Sequence, residues 1–138
     1  MKVKLSELAQ AMLKSDASQS YVEIGQGRVV MLAADMGEED ALEHVFSIEE
    51  DWEHYVPIPN LRDEEERRAM ERFAALQPNE ELRGRLQKIL FAPRAAWNFR
   101  QQVKRLLLLA KWNAFLQAHF MEAAKDWCLE NRIEYEEG

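Results

Sequence analysis

The sequence has few of the residues that mark disulfide scaffolds, low-complexity segments or membrane spans. Its 138 residues include one cysteine, four prolines and five glycines, which excludes an internal disulfide and a collagen-like or Gly/Pro-rich disordered chain. The longest wholly apolar runs, 29–34 and 106–110, fall far short of the roughly 20 residues that a membrane-spanning helix needs. We therefore do not expect this chain to be an integral membrane protein. Because the N-terminal segment also lacks a signal-peptide core, a reducing, cytoplasmic location is the default.

The length and composition suit one globular domain. Hydrophobic residues make up 47% of the chain and charged residues 31%, which is the balance of a chain that buries a core. Chains usually divide into several domains only beyond roughly 250 residues. We predict a single domain over residues 1–138.

The charge is divided into blocks along the chain. Residues 35–66 hold thirteen acidic side chains and a single base, a net charge of −12, whereas residues 83–111 hold eight bases and no acid. Blocks of like charge are usually solvated or paired with each other across the fold. The total of −7 therefore conceals a strongly basic segment.

Two β-rich runs about a glycine turn predict a β-hairpin on the N-terminal side. Tyr21, Val22 and Ile24 precede Gly25-Gln26-Gly27, and residues 29–32 follow it. A hairpin alone is marginal in water, so we expect one of its faces to lie on helices. Residues 55–60 contain two prolines and should run extended, as a boundary between the two halves of the chain.

Helical periodicity predicts the first three helices. Ser6 is the expected N-cap of the first helix, which should end between Lys14 and Ser18. Gly37 precedes a second helix that opens on three acidic residues, and a third helix is expected from Asp63 until Pro78 closes it.

The C-terminal half is predicted to be helical throughout. Asn79 should cap one helix, and after Pro93 a single apolar stripe is expected over residues 99–110. The last helix follows from Trp112, and Asn131 should end it in a left-handed conformation before an extended tail. The predicted fold class is therefore α+β, mainly helical with about five helices and one small N-terminal-side β-hairpin.

Several segments, in their order and spacing, carry a resemblance over nearly the whole chain. They are Val3-Lys4-Leu5-Ser6-Glu7-Leu8, Ser20 to Leu32, Tyr55-Val56-Pro57-Ile58-Pro59, Met70-Glu71-Arg72-Phe73, Asn79-Glu80-Glu81-Leu82-Arg83, Phe99 placed thirteen residues before Trp112, Trp112-Asn113-Ala114-Phe115, and Trp127-Cys128-Leu129-Glu130-Asn131-Arg132-Ile133. Together they resemble an uncharacterised bacterial family numbered 0158. The resemblance implies no activity and no functional residues, because none is established for that family. The chain departs from that family in two places. Members tend to have a small-residue turn and an aromatic just before the basic helix, whereas this chain has Arg94-Ala95-Ala96 and the aromatic is displaced to Trp97. The acidic middle of this chain is also shorter than that of family members.

The sequence contains no pattern typical of a catalytic, metal or cofactor site. His44, His54 and His119 lack the close spacing that preorganises metal ligands. His119 lies on the apolar stripe of the last helix and should be a hydrogen-bonded core residue, and Cys128 should be a small buried hydrophobe. We predict no catalytic residues, no metal and no cofactor, and favour a protein that is not an enzyme.

An acidic segment with two aromatics is the first candidate binding site. It comprises Glu49, Glu50, Asp51, Trp52 and Tyr55, and it joins negative charge to aromatic residues of the kind enriched at interface hot spots. The partner that this pattern predicts is a basic protein. The alternative interpretation is a solvated loop whose two aromatics pack into the core.

A basic helical face within residues 94–111 is the second candidate binding site. Trp97, Arg100, Lys104 and Lys111 combine phosphate-binding charge with an aromatic for stacking, as single-strand binders do. The acidic segment would repel a polyanion. We therefore predict a small acidic, non-catalytic interaction or regulatory module that binds a basic protein partner, with nucleic-acid binding as the alternative and no membrane association.

Overall fold

The structure is a computed structural model that describes residues 2–14, 18–33 and 37–137. The strands there are β1 (Val3–Lys4), β2 (Ser18–Glu23), β3 (Arg28–Ala33), β4 (Tyr55–Pro57) and β5 (Tyr135–Glu136). The helices are α1 (Leu5–Leu13), α2 (Glu38–Glu50), α3 (Arg62–Ala75), α4 (Glu80–Ile89), α5 (Ala95–Arg105) and α6 (Leu109–Glu130), with one 3₁₀ turn at Trp52–His54. The predicted α+β, mainly helical class is confirmed, and six helices are close to the five expected.

The chain forms two compact units. Unit 1 comprises residues 1–62 and 120–138, and unit 2 comprises residues 63–119. The division at residue 62 directly follows the extended, proline-containing segment that was expected to separate two halves. That the whole chain acts as one domain stays a prediction.

The sheet of unit 1 contains the predicted hairpin and one further strand. β2 and β3 pair antiparallel from Ser18↔Ala33 to Glu23↔Arg28, and Gly27 takes a positive φ of 63° in the turn. On its other side β2 pairs antiparallel with β4. The prolines predict that 55–57 is extended, but not which strand it joins. α1 packs on β3, as expected for a hairpin that needs a helical support.

The predicted helix cap at Ser6 is wrong. α1 begins at Leu5 with Lys4 as its N-cap, because β1 pairs in parallel with β5 and the chain enters the helix directly from that strand. Ser6 is therefore the second residue of the helix. The helix ends just before Lys14, and residues 15–17, which the predicted end included, lie outside the described part of the chain.

Four helices supply the core of unit 2. The buried side chains are Ala69, Met70, Phe73 and Ala74 from α3, Leu86 and Leu90 from α4 or its end, Phe99 and Val103 from α5, and Trp112 from α6. The Trp112 ring contacts Phe73 and Phe99 edge to face, with ring centroids 5.3 and 5.1 Å away, a favoured aromatic geometry. Asn79 caps α4 as predicted, accepting a hydrogen bond from the Leu82 N–H at 3.0 Å.

The predicted continuous stripe over residues 99–110 is wrong, because the chain turns between α5 and α6. Leu107 has a positive φ of 59°, its N–H donates to the Lys104 carbonyl, and the Leu108 N–H donates to the Val103 carbonyl at 2.8 Å. These two bonds form a Schellman motif, which usually has glycine at the left-handed position. Leu108 then packs against the core, whereas Ala110 is exposed.

The end of α6 also differs by one residue from its prediction. Asn131 still donates its backbone N–H to the Trp127 carbonyl at 3.0 Å, and its side-chain amide donates to the same oxygen at 2.9 Å. Arg132, with φ of 56°, takes the left-handed conformation instead. The Ile133 N–H then closes a second Schellman motif on the Cys128 carbonyl at 2.9 Å.

Candidate interaction surface

α2 is a helix that keeps an apolar pair exposed. Every residue of α2 is described and none is buried, whereas α3 buries six of its residues. Leu42 and Phe46 lie one turn apart and therefore on the same face, with Phe46 56% exposed. An exposed apolar pair on one helix face is a feature of interaction sites.

Acidic side chains surround Phe46 on the helix surface. The positions three and four residues away, which are its neighbours on a helix, are Leu42, Glu43, Glu49 and Glu50, and all four are exposed. Three glutamates and one leucine thus frame the phenyl ring.

The C-terminal end of α2 has an unfavourable charge distribution. Its last residues, Glu49 and Glu50, are acidic, no base lies in the last turn, and the C-cap is Asp51. The carbonyl end of a helix carries partial negative charge, so an acid there typically destabilises a helix by about 0.3–1 kcal/mol. A cationic group placed at this end would reverse that repulsion.

The 3₁₀ turn after α2 holds Trp52 in a defined position. The Asp51 and His54 side chains are hydrogen-bonded, with Oδ1 and Nδ1 2.5 Å apart, and the His54 N–H donates to the Asp51 carbonyl at 2.9 Å. The Ile24 N–H donates to the His54 carbonyl at 2.8 Å, which fixes the turn to the sheet of unit 1. Trp52 itself is 69% exposed, so the alternative interpretation, a loop with this side chain packed into the core, is wrong for Trp52.

The acidic segment and the exposed apolar residues together form one candidate site, named here the α2 surface. It consists of Leu42, Phe46, Glu49, Glu50, Asp51 and Trp52. Tyr55, predicted as a fifth member of the acidic segment, is half-buried in β4 opposite Glu23. Glu23 also binds Arg28 at 2.5 Å, and this hydrogen bond and charge, with a smaller contribution from Tyr55, raise the pKa of Arg28.

Sequence reasoning missed Leu42 and Phe46 as surface residues. Their spacing is that of an inward-facing helix stripe, and an amphipathic pattern looks the same whether a partner or the core covers it. The available signal was the polar composition of α2. Only five of its thirteen residues are apolar, and acids surround Leu42 and Phe46 in the sequence.

The four residues of the predicted basic face are divided between two helices. Trp97 and Lys104 are exposed on α5, but Lys111 lies on α6, beyond the turn at Leu107. Arg100 is partly exposed, and its Nη2 donates to Oε1 of Glu66, which is buried on α3. This guanidinium is therefore engaged by a carboxylate.

His119 is the hydrogen-bonded core residue that was predicted. Its Nδ1 lies 2.8 Å from Nη1 of Arg72 and its Nε2 lies 3.4 Å from Oε1 of Glu65. A guanidinium can only donate, so Nδ1 accepts and the ring proton is on Nε2, facing the carboxylate. Both ring nitrogens are thereby engaged by side chains of the protein.

Cys128 is buried, as predicted, and burial raises the pKa of its thiol to about 11. Such a thiol is almost entirely protonated at neutral pH and is a poor nucleophile. Within the described ranges, no three side chains of the His, Cys, Asp or Glu type converge on a point that could hold a metal ion.

Two surface clefts have no catalytic arrangement among their lining residues. One, of about 290 Å³, is lined by Asn79, Glu81, Leu82, Arg85 and Leu106. The other, of about 410 Å³, is lined by Ser6, Glu7, Gln10, Val29 and Met31. Each has a single carboxylate and no histidine or cysteine, whereas acid–base catalysis usually needs titratable groups in contrasting environments.

The fold and the site define a small, mainly helical α+β protein that presents apolar side chains from an acidic helix. No helix in the part of the chain that the structure describes is long and apolar enough to cross a bilayer. The chain belongs to the uncharacterised protein family UPF0158, whose model matches residues 1–137. This confirms the family that the sequence segments indicated. No curated protein and no solved structure matched the chain.

Proposed function

We propose that this chain is a cytoplasmic, non-catalytic interaction or regulatory module that binds a basic protein partner through the α2 surface. The observation that carries the proposal is Phe46, which is exposed together with Leu42 inside a frame of three glutamates. Apolar centres with charged surroundings have the anatomy of protein interfaces, in which a rim surrounds a few anchor residues.

The charge of the α2 surface determines the kind of partner. Residues 38–53 contain eight acids and no lysine or arginine. A basic partner would be steered towards this field and would relieve the repulsion at the C-terminal end of α2. Acidic partners and polyanions would be repelled from it.

The position of Trp52 supports a binding role for this residue as well. Its turn is held by the Asp51–His54 pair and by the Ile24 bond, so little backbone freedom remains to be lost when a partner covers the indole. An exposed aromatic on a pre-ordered turn is an efficient anchor, because preorganisation lowers the entropic cost of binding.

The alternative, nucleic-acid binding through residues 94–111, has less support. Of its four predicted contacts, Arg100 is paired with Glu66 and Lys111 lies on a different helix. Trp97 and Lys104 remain exposed on α5, and of these two only Lys104 can neutralise a phosphate.

Affinity capture from native lysate with matched variants tests the proposal. The wild type, the double variant Phe46→Ala/Trp52→Ala, and the control Leu129→Ala would be used as bait, since Leu129 is also an exposed apolar residue, at 60%, but lies on α6. We expect a basic protein to be retained by the wild type and the control at low salt, released at high salt, and not captured by the double variant.

The captured protein would then be purified and its binding measured by calorimetry. Direct binding to the wild type that is weakened at least tenfold in Phe46→Ala/Trp52→Ala would support the α2 surface. Equal binding to both, or a captured protein without a basic face, would reject it. Unfolding curves of all three baits show whether a loss of capture reflects loss of fold.

A further inference from the structure

The two units have opposite net charges. Unit 1 contains eighteen acids and seven bases, and unit 2 contains seven acids and eleven bases, which gives net charges of −11 and +4. The chain therefore carries on unit 2 the kind of charge that the α2 surface of unit 1 is expected to bind.

Unit 2 also exposes aromatic residues among these bases. Phe91, in the loop between α4 and α5, is 89% exposed, and Trp97, in the first turn of α5, is 55% exposed. Lys88 and Arg94 are exposed beside them in sequence, and no acid occurs between residues 83 and 111. We name Lys88, Phe91, Arg94 and Trp97 the Trp97 surface.

The backbone at the Trp97 surface is held in a defined, unfavourable conformation. Arg94 has a positive φ of 57°, which costs a non-glycine residue about 1 kcal/mol or more. Asn98 holds it there: its side-chain amide donates to the Pro93 carbonyl at 3.1 Å, and its N–H donates to the Arg94 carbonyl at 2.9 Å. Unfavourable backbone that is locked in this way is concentrated at binding and active sites.

We infer that the basic partner of the α2 surface is a second copy of this chain, bound through its Trp97 surface. This inference rests on the proposed function and names its partner. The acidic, apolar α2 surface and the basic, aromatic Trp97 surface are complementary in charge, and each exposes large side chains that association would remove from water. The chain supplies both surfaces in equal amounts.

Two copies that contact through these surfaces either close a twofold dimer, in which each copy uses both surfaces, or leave one surface of each kind open. In the second arrangement further copies add until a ring closes or a filament grows. The expected behaviour is therefore a mass that rises with concentration and falls as salt screens the charges.

Complementary charge reversals test this arrangement. Variant one, Glu49→Lys/Glu50→Lys, changes only the α2 surface, and variant two, Lys88→Glu/Arg94→Glu, changes only the Trp97 surface. The controls Glu130→Lys and Lys111→Glu make charge changes of the same sign at exposed positions outside both surfaces. Phe91→Ser is a second, uncharged change in the Trp97 surface, for use if the reversal at Arg94 disturbs the fold.

Sedimentation velocity and light scattering at low salt give the readout. We expect the wild type and both controls to exceed the monomer mass of 16.2 kDa increasingly with concentration. Variants one and two, and Phe91→Ser, should each remain at the monomer mass. An equimolar mixture of variants one and two should associate again, because each contact between the two variants pairs an acidic surface with a basic one.

A wild type that is monomeric throughout overturns the inference. So does association that both charge reversals leave unchanged, or a mixture of variants one and two that stays at the monomer mass. The proposed function is judged separately by capture. If the chain is monomeric but a different basic protein is lost from Phe46→Ala/Trp52→Ala, the proposed function stands without the second copy. If that double variant retains both association and capture, the proposed function itself fails.

Discussion

His54 links the acidity of the α2 surface to pH. The hydrogen bond that His54 donates to Asp51, and the negative charge of Asp51, raise the pKa of His54 above the ordinary value of 6.5. The charges of Glu53 and Glu23 act in the same direction. A raised pKa means that folding favours the protonated ring. This contribution to stability is therefore fully present below about pH 6.5 and is lost as pH rises through the higher folded-state pKa.

We expect an NMR titration of the His54 ring to give a pKa above 6.5 in the wild type. Asp51→Asn should lower the pKa towards the ordinary value, because the amide removes the charge and cannot act as an ionic acceptor. Glu50→Gln removes an equal charge one residue away and should change the pKa of His54 less. Equal pKa values in the wild type and Asp51→Asn would contradict the pair seen in the structure.

The local sequence pattern was sufficient to predict whether some single side chains are buried. His119 and Cys128 were placed in the interior by the periodicity of the last helix, and both are buried. The bond between Arg100 and Glu66 was beyond such reasoning, because the two residues are 34 positions apart and on different helices. Exposure of Trp52 was likewise undetermined, since its segment is compatible with a packed or an open loop.

At the scale of elements, the helix ends show where local signals are insufficient. Leu107 and Arg132 occupy left-handed positions that favour glycine, so neither turn has the residue that would have predicted it. The strand pairings were predictable to different degrees. β2 and β3 are neighbours in sequence and were predicted as a hairpin, whereas β1 pairs with β5 from the opposite end of the chain. Pairing over such a distance is set by tertiary packing rather than by local propensity.

Leu107→Gly should stabilise unit 2. Leu107 is 90% exposed, so its removal forfeits little buried area, and glycine adopts the positive φ without steric cost. We expect the free energy of unfolding to rise by about 0.5–1 kcal/mol. Ala110→Gly, at an exposed position within α6, is the matched control and should lower it by about 1 kcal/mol. Denaturant unfolding measures both, and a destabilised Leu107→Gly would show that this side chain makes contacts that stabilise the turn.

Arg100→Glu should destabilise the protein even though Arg100 is partly exposed. The substitution removes one partner of buried Glu66 and brings a second carboxylate towards it. We expect a loss of about 2–3 kcal/mol of unfolding free energy, below the value for a fully buried pair because water reaches the guanidinium. Lys104→Glu, exposed on the same helix, should change stability by less than about 0.5 kcal/mol.

A rescue variant separates charge from packing in this test. Glu66→Leu/Arg100→Leu replaces both members of this pair with apolar groups and should recover part of the loss, since the buried carboxylate itself is removed. If the double variant is as unstable as Arg100→Glu, the pair is not the cause of the destabilisation.

At the scale of the whole molecule, the charge blocks of the sequence are joined only in part. Glu66 and Arg100 bind each other and belong to the acidic and basic blocks respectively, which is the pairing that such blocks often show. The acids of the α2 surface and the bases of the Trp97 surface remain exposed. Blocks in a sequence predict that opposite charges will attract, but the fold decides which of them remain available to a partner.

The same distribution predicts weak binding to nucleic acid. Residues 94–111 expose Arg94, Lys104, Arg105 and Lys111. The net charge of the whole chain is nevertheless −7, and salt screens attraction beyond about 8 Å. We expect fluorescence anisotropy with a labelled single-stranded oligonucleotide to give a dissociation constant above about 10⁻⁴ M at physiological salt, weaker than ordinary non-specific binding. Trp97→Ala/Lys104→Glu tests the basic face without touching the Arg100–Glu66 pair, and Lys4→Glu in unit 1 controls for total charge. The opposite result would be micromolar binding that falls steeply with salt, disappears in the double variant and persists in the control. It would identify the exposed aromatic and basic residues of α5 as a nucleic-acid site, because neither the net charge nor the α2 surface could account for such binding.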